Sequence, residues 1–285
     1  MKLSALAYAK INLFLKVVGK RNDGLHDLDM IMQSISLADK ITVEETDTSG
    51  ITTLCDCDIL DDNIAETAAV EYFKWANMAN QNISISIEKN IPISAGLAGG
   101  SADAAAVLYL LNRIYNKLSD DELLTLAGKI GADVPFCLIG GTARVMGFGD
   151  RIEKQDVVDN YHLVLVKSGI KKSTGFMYSL IDGSNEVSDA NAGELLEKME
   201  MEQNDAYLLM HNDFMQFWND EKSIDVQNDL IGYGADAVSL SGSGPTFFGV
   251  FNEKEAAEKC FANLKTKYDE IYLCRPVSSG IEIIE

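Results

Sequence analysis

Residues 91–112 read IPISAGLAGGSADAAAVLYLLN, and the rest of the chain is best interpreted outward from this stretch. Its first half is rich in glycine, with Gly96, Gly99 and Gly100 close together. Its second half, residues 102–111, consists mainly of alanine and leucine, which are strong helix formers. The stretch therefore predicts a flexible loop that leads directly into the N-terminus of a helix.

A loop of this kind is suited to a phosphate group. The first turn of a helix has backbone N–H groups without intrahelical partners, and it carries the positive end of the helix dipole. Glycines let these groups approach an anion closely because they have no Cβ. Ser101 is placed to cap the helix or to contact phosphate or a metal ion. A glycine-rich turn that simply leads into a core helix is the alternative, and the loop chemistry leaves both interpretations open.

Two familiar phosphate-binding motifs do not fit this loop. The P-loop requires Gly-Lys-Ser/Thr after its glycines, whereas the sequence here continues Gly-Ser-Ala. The dinucleotide fingerprint requires the spacing G-x-G-x-x-G after a strand, and this loop does not have that spacing. If the loop binds phosphate, it does so as a different type of motif.

The composition is that of a globular protein that binds neither nucleic acid nor membranes. The 285 residues, of which 47% are hydrophobic and 24% charged, allow one large domain or two smaller ones. The net charge of −20 argues against non-specific binding to nucleic acid or to anionic lipid. No apolar run reaches the ~18–20 residues of a membrane span, and the N-terminus lacks the pattern of a signal peptide. We therefore expect a cytoplasmic protein, either a monomer or a homodimer.

The cysteines are expected to be reduced thiols. An odd number of cysteines without a signal peptide is typical of cytosolic proteins. Cys55 and Cys57 form a Cys-x-Cys pair that could bind a metal ion. No second pair or nearby histidine follows in the sequence, so we expect no metal site there.

Residues 4–19, SALAYAKINLFLKVVG, have the alternation of a β-strand. Lys10 and Asn12 fall on the same face of this strand, so both could point into one cleft. A solvated strand face is the alternative for this pair. Residues 30–37 and 40–45 are predicted as two further strands separated by a turn.

The segment GADVPF at residues 131–136 has two interpretations. Asp133 can be an ordinary N-cap of a short helix that has proline in its first turn. It can also be a functional carboxylate, and the local pattern alone does not decide between the two.

The second half of the chain mixes helices and strands, which predicts the α+β class with a split βαβ sheet near the end. The predicted strands are residues 161–167, 235–240, 246–251 and 270–275, and the predicted helices are residues 173–181, 189–199, 207–218, 223–232 and 253–268. The polar segment 150–160 marks a boundary, so we predict domains over residues 1–155 and 156–285.

Several stretches together resemble the GHMP small-molecule kinases. They are AKINLFL at residues 9–15, RNDGLH at 21–26, PISAGLAGGSA at 92–102, GADVPF at 131–136 and LSGSGP at 240–245. The combination of the first two stretches is similar to those GHMP kinases that phosphorylate a cytidine-diphosphate-linked sugar alcohol. The resemblance extends over nearly the whole chain.

The resemblance implies a two-domain kinase with its active site in the cleft between the domains. The first domain would be a ribosomal-S5-like α+β domain, and the second a ferredoxin-like domain whose last strand can return to the first. Lys10 and Asp133 would be the catalytic pair, and ATP with Mg²⁺ would be the phosphate donor. The phosphates of ATP would lie on Pro92, Ile93, Ser94, Ala95, Gly96, Leu97, Ala98, Gly99, Gly100, Ser101 and Ala102.

The resemblance also implies an acceptor side of the cleft. The acceptor would contact Asn12, Leu25, His26, Tyr178, Ser241, Gly242, Ser243 and Gly244. The family usually has a tyrosine, expected to stack on cytosine, where this chain has Leu25. Tyr178 would supply the opposite stacking face, and the alternative for Tyr178 is a core aromatic on a short helix.

The implied reaction is transfer of the ATP γ-phosphoryl group to the 2-hydroxyl of the acceptor's methylerythritol unit, a step in isoprenoid precursor synthesis. One alternative is a GHMP kinase for another small alcohol, such as homoserine or mevalonate, which would not need a cytidine group. A second alternative is a catalytically silent nucleotide-binding sensor on the same fold. The presence of both Lys10 and Asp133 argues against the sensor.

Overall fold

The structure is a computed structural model that describes residues 1–57, 63–79, 82–156, 160–184, 188–203 and 205–284. Its strands are β1 Lys2–Lys20, β2 His26–Glu45, β3 Ile51–Cys55, β4 Ile83–Glu88, β5 Thr142–Gly147, β6 Arg151–Gln155, β7 His162–Lys167, β8 His211–Asn212, β9 Ala237–Leu240, β10 Thr246–Phe251, β11 Ile271–Cys274 and β12 Ile281–Ile283. Its helices are α1 Ile64–Trp75, α2 Gly99–Tyr115, α3 Asp120–Ile130, α4 Val134–Ile139, α5 Thr174–Asp182, α6 Ala192–Glu200, α7 Glu221–Gly232 and α8 Lys254–Leu264. Within the described part of the chain, no helix has the length and apolar character needed to cross a membrane.

The long strands β1 and β2 form the centre of the larger sheet. They pair antiparallel along most of their length, from Lys2 opposite Glu44 to Lys20 opposite His26. Strands β12 and β8 add to β1, whereas β4 and β5 add to β2. Strand β3 then pairs with β4, and β6 with β5. The larger sheet therefore contains strands from both halves of the chain.

Helix α2 is buried on most of its surface. The buried residues include all of its alanines and leucines, from Ala102 to Leu111. Small alanine side chains let the helix pack closely against the larger sheet and α1. The N–H of Lys10 donates to the carbonyl oxygen of Leu97 at 3.1 Å. The loop before α2 is therefore attached directly to β1.

The smaller sheet has the strand order β11-β7-β10-β9, and all its neighbours are antiparallel. Helices lie between β7 and β9, and α8 connects β10 to β11. This order of strands and helices is the ferredoxin-like split βαβ arrangement. The predicted α+β class and the predicted fold of the second half are confirmed.

The prediction of two strands within residues 30–45 was wrong. Strand β2 continues without interruption, although its register against β1 shifts between the pair Tyr8–Ala38 and the pair Lys10–Ser34. A bulge of this kind bends a strand without ending it. Asp39, which looked like a turn residue, is fully buried in the bent strand.

The prediction of a helix at residues 207–218 was also wrong, although the apolar spacing there is helical. Short 3₁₀ turns at Ala206–Leu209 and Met215–Phe217 flank the two-residue strand β8. Strand β8 pairs with β1, and a carboxylate oxygen of Asp213 accepts a hydrogen bond from the N–H of Val17 at 2.6 Å. These bonds to β1 replace the bonds that a helix would have made.

The edges of the predicted second domain differ from expectation. Strand β6 occupies part of the segment predicted as a polar boundary and pairs with β5. The strand predicted at residues 270–275 is β11, which belongs to the smaller sheet. Strand β12, which the sequence analysis did not identify, returns to β1. The division of the chain at residue 155 remains a prediction.

The C-terminal segment is held between β1 and helix α4. The N–H of Tyr8 donates to the carbonyl oxygen of Gly280 at 2.9 Å. A Cβ on Gly140, whose φ is +65°, would lie 1.7 Å from the nitrogen of Gly280. A side chain at position 140 is therefore incompatible with this crossing, which holds the end of α4 close to β1.

Gly140→Ala should destabilise the fold by about 2 kcal/mol or more, because the backbone at residue 280 would have to move and alanine disfavours a positive φ. Chemical denaturation measures the loss. Gly169→Ala is the control, since a Cβ at that position meets nothing within 4 Å. An equal loss in both variants would contradict the proposed close packing.

Candidate active site

A cleft of about 990 Å³ lies between the two halves of the chain. Its volume is at the upper end of the range for small-molecule sites. Of the site residues predicted from the sequence, those that line the cleft are Lys10, Asn12, Leu25, His26, residues 92–101, Asp133, Tyr178, Gly242 and Ser243. Ala102, Ser241 and Gly244 do not line it and lie behind its wall.

The glycine loop enters helix α2 earlier than predicted. The helix begins at Gly99, directly after Ala98, whose φ of +58° is left-handed. No side chain caps this helix, and Ser101 lies within its first turn, which excludes the cap among the roles that the sequence left open for Ser101. The residues of this uncapped turn line the cleft, where their N–H groups can bind a phosphate.

Gly96 is the point at which the glycine loop touches the segment that follows β9. Its φ is +79°, and a Cβ there would lie 2.5 Å from the oxygen of Ser241 and 2.8 Å from that of Gly244. The hydroxyl of Ser241 donates to the carbonyl oxygen of Gly96 at 2.9 Å. A direct contact between two backbone segments therefore joins the halves of the chain beside the cleft.

Lys10 and Asp133 lie close together in the cleft. The Nζ of Lys10 is 3.7 Å from the Oδ2 of Asp133, and the side chains are 6% and 37% exposed, respectively. Asp133 precedes helix α4, but its side chain makes no capping hydrogen bond. Its carboxylate is therefore available both to Lys10 and to a ligand in the cleft.

Asn12 links the lysine to the second half of the chain. Its Oδ1 accepts hydrogen bonds from the Nζ of Lys10 at 2.8 Å and from the N–H of Gly242 at 3.0 Å. The asparagine is fully buried. It therefore fixes the position of the Lys10 ammonium group relative to the backbone of Gly242.

Side chains of the second half hold the segment 241–244 in turn. The Nδ2 of Asn212 donates to the carbonyl oxygen of Gly242 at 2.9 Å. The Nε1 of Trp218 donates to the carbonyl oxygen of Ser243 at 3.2 Å. The sequence analysis assigned neither Asn212 nor Trp218 to the site, because both lie in the segment that it predicted as a regular helix.

His26 and Tyr178 stack on each other in the cleft. Their ring centroids are 4.5 Å apart, and their planes differ by 15°. The Nε2 of His26 is 2.7 Å from the Oδ1 of Asp182, and the edge of Phe214 packs against Tyr178. Burial raises the pKa of Tyr178 to about 12. One face of Tyr178 is therefore covered by His26 in this structure.

Comparison with known proteins shows the family to which this chain belongs. Residues 63–141 match the family profile of the GHMP kinases N terminal domain, and residues 221–270 match that of the GHMP kinases C terminal. The 4-diphosphocytidyl-2-C-methyl-D-erythritol kinase of Clostridium tetani (strain Massachusetts / E88) is 39% identical over 279 residues, which cover 95% of this chain and 99% of that one. The chain belongs to the 4-diphosphocytidyl-2-C-methyl-D-erythritol kinases, within the GHMP kinases.

Solved structures agree with this assignment. A crystal structure of 4-(cytidine 5'-diphospho)-2C-methyl-D-erythritol kinase is 30% identical, with a TM-score of 0.80 over 96% of this chain and 98% of that chain. Homoserine kinase from Cytophaga hutchinsonii is 19% identical, with a TM-score of 0.77 over 99% of this chain and 97% of that chain, a likeness of fold alone. The protein is therefore a small-molecule kinase, and the prediction of its family is confirmed.

The sequence analysis missed an ion cluster beside the glycine loop of this kinase. The Nζ of Lys89 lies 2.5 Å from the Oδ2 of Asp39 and 2.7 Å from the Oδ2 of Asp103. The other oxygen of Asp39 accepts hydrogen bonds from the N–H groups of Asn90 and Ile91 at 2.6 and 2.8 Å. The cluster therefore anchors the start of the loop. One signal was available, because Asp103 is the single charged residue in the otherwise uncharged stretch 91–112.

Asp103 is buried, and its Oδ1 has no hydrogen-bond partner among the described residues. Burial raises the pKa of Asp103 to about 7; the charge of Lys89 opposes this rise, and the carboxylate of Asp39 adds to it. The folded protein therefore retains a proton that the unfolded chain releases near pH ~4.

The free energy of unfolding should consequently fall as the pH rises from about 4 to about 7, because the folded state binds more protons than the unfolded state in this range. Asp103→Asn removes the titrating group and should flatten this part of the profile. Denaturation curves at several pH values measure it, with Asp121→Asn, exposed on α3, as the control. An unchanged slope in Asp103→Asn would show that another group is responsible.

Cys55, Asp56 and Cys57 form a second cluster, outside the cleft. The two sulfur atoms are 3.0 Å apart, and the three possible ligand atoms lie within 4.8 Å of one another. The Oδ1 of Asp56 also accepts a hydrogen bond from the backbone N–H of Lys89 at 3.0 Å. The sequence analysis predicts no metal here, and that remains a prediction.

The contact at Gly96 can be tested by a substitution that adds a single methyl group. Gly96→Ala should reduce turnover by about tenfold or more, because the added Cβ forces the glycine loop away from the segment 241–244, which Asn12 links to Lys10. Gly50→Ala is the matched control, since its φ of +93° imposes the same backbone strain but a Cβ there meets nothing within 4 Å. Comparable turnover in the two variants, measured at equal folded fraction, would show that the contact is not needed for activity.

Proposed function

We propose that this kinase transfers the γ-phosphoryl group of ATP to the 2-hydroxyl of 4-diphosphocytidyl-2-C-methyl-D-erythritol, in the non-mevalonate route to isoprenoid precursors. The proposal rests on the Lys10–Asp133 pair beside the uncapped N-terminus of α2, in a chain 39% identical to a kinase named for that acceptor. Both substrates are small molecules, and we place the reaction in the cytoplasm, with a monomer or homodimer as the active form.

The phosphates of ATP would lie along residues 92–102. The N–H groups of the first turn of α2 and the positive end of its dipole would face them. Phosphoryl transfer needs positioning and charge neutralisation more than covalent chemistry from the protein. The loop would therefore supply a fixed cradle for the donor.

Lys10 and Asp133 would act on the transferred group and on the acceptor hydroxyl. Lys10, held by Asn12, would neutralise negative charge on the phosphoryl group as it moves. Asp133 would accept a hydrogen bond from the hydroxyl, orient it for attack and take its proton as the new bond to phosphorus forms. This role requires a carboxylate that a ligand in the cleft can reach, and the side chain of Asp133 lines the cleft and is 37% exposed.

Mg²⁺ would accompany ATP. The hydroxyl of Ser101 lines the cleft in the first turn of α2 and forms no hydrogen bond to another described residue. A hydroxyl oxygen together with phosphate oxygens suits Mg²⁺, which prefers oxygen ligands. Ser101 would hold the ion together with the nucleotide, and the ion would neutralise phosphate charge when bound.

A kinase for homoserine or mevalonate is the second candidate within the GHMP kinases. The likeness to homoserine kinase is one of fold, at 19% identity, so it does not favour that acceptor. A panel of alcohols should decide the question: 4-diphosphocytidyl-2-C-methyl-D-erythritol, 2-C-methyl-D-erythritol 4-phosphate, homoserine and mevalonate, each with ATP and Mg²⁺. Only the cytidylated acceptor should be phosphorylated efficiently, and preferential transfer to another alcohol would refute the proposal. Absence of transfer to any alcohol, despite ATP binding, would favour the silent sensor.

The catalytic pair is tested by changing each member. Asp133→Asn should lower kcat by about a hundredfold or more while ATP still binds, since the variant cannot take the proton. Lys10→Ala should also lower kcat, and the two losses should not add, because the groups act on the same step. Steady-state kinetics and ATP binding by calorimetry measure these effects. Near-normal turnover in Asp133→Asn would show that Asp133 has only a structural role at the start of α4.

The base pocket is tested at Tyr178 and Leu25. Stacking on a base is worth roughly 1–3 kcal/mol, so Tyr178→Ala should raise KM for the cytidylated acceptor about tenfold and leave KM for ATP nearly unchanged. Tyr178→Phe keeps the ring and is the control. Leu25, which is 51% exposed, can be changed to tyrosine without disturbing the core, and Leu25→Tyr should lower the acceptor KM modestly. A parallel rise of both KM values in Tyr178→Ala would indicate general damage instead.

A further inference from the structure

Lys171 lies in the segment between strand β7 and helix α5 and lines the cleft. Its side chain has no hydrogen-bond or ion-pair partner among the described residues. It is half-buried, and it was not assigned to the site by the sequence motifs. An ammonium group in such a place loses part of its hydration without gaining a counter-ion from the protein.

The other lysines that line the cleft are all paired. Lys10 lies beside Asp133, Lys20 beside Asp182, and Lys89 between two carboxylates. Within the described parts of the chain, Lys171 is thus the cleft lysine whose charge the protein does not balance. In a protein with a net charge of −20, an unbalanced cation in the cleft is available for an anionic ligand.

Lys171 lines the same cleft as Lys10 and Asp133. Burial lowers the pKa of Lys171, the nearby charge of Lys10 lowers it further, and Asp133 partly offsets both effects. The charged form of Lys171 is therefore disfavoured on balance as long as no anion lies in the cleft. A bound phosphate would stabilise the charged form of Lys171 and raise its pKa, because it supplies a negative charge beside the ammonium group.

The same segment leads directly to the predicted base pocket. Ser173 caps helix α5 by accepting a hydrogen bond from the N–H of Phe176 at 3.2 Å, and Tyr178 is on that helix. Lys171 therefore precedes the helix that carries Tyr178, and it lines the same cleft as Tyr178, Lys10 and Asp133. In a cytidylated acceptor, the diphosphate is the part of the molecule between the base and the reacting sugar alcohol.

We propose that Lys171 binds the diphosphate group of the acceptor and thereby positions the acceptor hydroxyl at the Lys10–Asp133 pair. This inference rests on the proposed function, which supplies a nucleoside diphosphate as the acceptor's handle. It assigns the two sets of phosphates to opposite sides of the cleft. The ATP phosphates contact the N–H groups of α2, and the acceptor diphosphate contacts a lysine of the second half.

The test compares cytidine diphosphate with cytidine as ligands of the full-length protein, by isothermal titration calorimetry. Lys171→Met should weaken binding of cytidine diphosphate about tenfold or more, because a charge-assisted contact to phosphate is lost. Binding of cytidine should be unchanged, since cytidine has no phosphate. Lys171→Arg should retain most of the affinity for the diphosphate.

The neighbouring lysine is the matched control. The Nζ of Lys172 donates to the carbonyl oxygen of Phe217 at 2.8 Å and lies 4.3 Å from the centre of the Trp218 ring. Lys172→Met removes the same charge one residue along the chain but outside the cleft lining. It should leave the ratio of the two affinities unchanged, whatever it does to the melting temperature.

Steady-state kinetics complete the test. Lys171→Met should raise KM for the cytidylated acceptor about tenfold, while KM for ATP stays the same. Equal weakening of cytidine and cytidine diphosphate would overturn the inference, and so would a loss confined to kcat, which would place Lys171 on the transferred phosphoryl group. A wild-type protein that binds neither ligand would instead overturn the proposed function, and the diphosphate contact with it. A wild-type protein that binds the diphosphate independently of Lys171 would overturn this inference alone.

Discussion

The cleft depends on one close contact between two backbone segments, at Gly96. A side chain there is excluded because its Cβ would lie 2.5 Å from the carbonyl oxygen of Ser241. Gly96 belongs to the loop that leads into α2, and Ser241 follows β9, so the contact sets the spacing of these two segments beside the cleft. Asn12 makes the junction rigid, since its side-chain oxygen binds both Lys10 and the backbone of Gly242.

The distribution of charge around this junction separates structural from functional cations. Lys89 is held by two carboxylates; burial acts to lower its pKa, but the charges of Asp103 and Asp39 outweigh that effect and raise it overall. Its ammonium group is therefore committed to anchoring the start of the glycine loop. Lys171, in contrast, has no such partner among the described residues, and its charge is available to a ligand. Under the proposed function, this unbalanced cation would serve an anionic substrate in a protein whose net charge is −20.

The stack of His26 on Tyr178 bears on the acceptor side that we propose for the cleft. A base that stacks on the covered face of Tyr178 has to displace the ring of His26, which is also held by Asp182 at 2.7 Å. A base that uses this face would therefore require a movement of the turn that contains Leu25 and His26. With leucine in place of the usual tyrosine, less aromatic surface is available to offset the cost of that movement.

Local patterns in the sequence determined the loop and helix at residues 91–112 and the split βαβ order of the second half, because periodicity and turn residues act over a few positions. The family followed from the resemblance of several short motifs to those of the GHMP kinases. They did not reveal that β2 continues through Asp39, or that residues 207–218 pair with β1. Nor did they reveal the charge cluster at Lys89 or the position of Lys171 in the lining of the cleft. These features arise from contacts between residues far apart in the sequence, which leave no periodic signal along the chain. Only the tertiary structure decided them, because it alone brings the buried charges and backbone segments together.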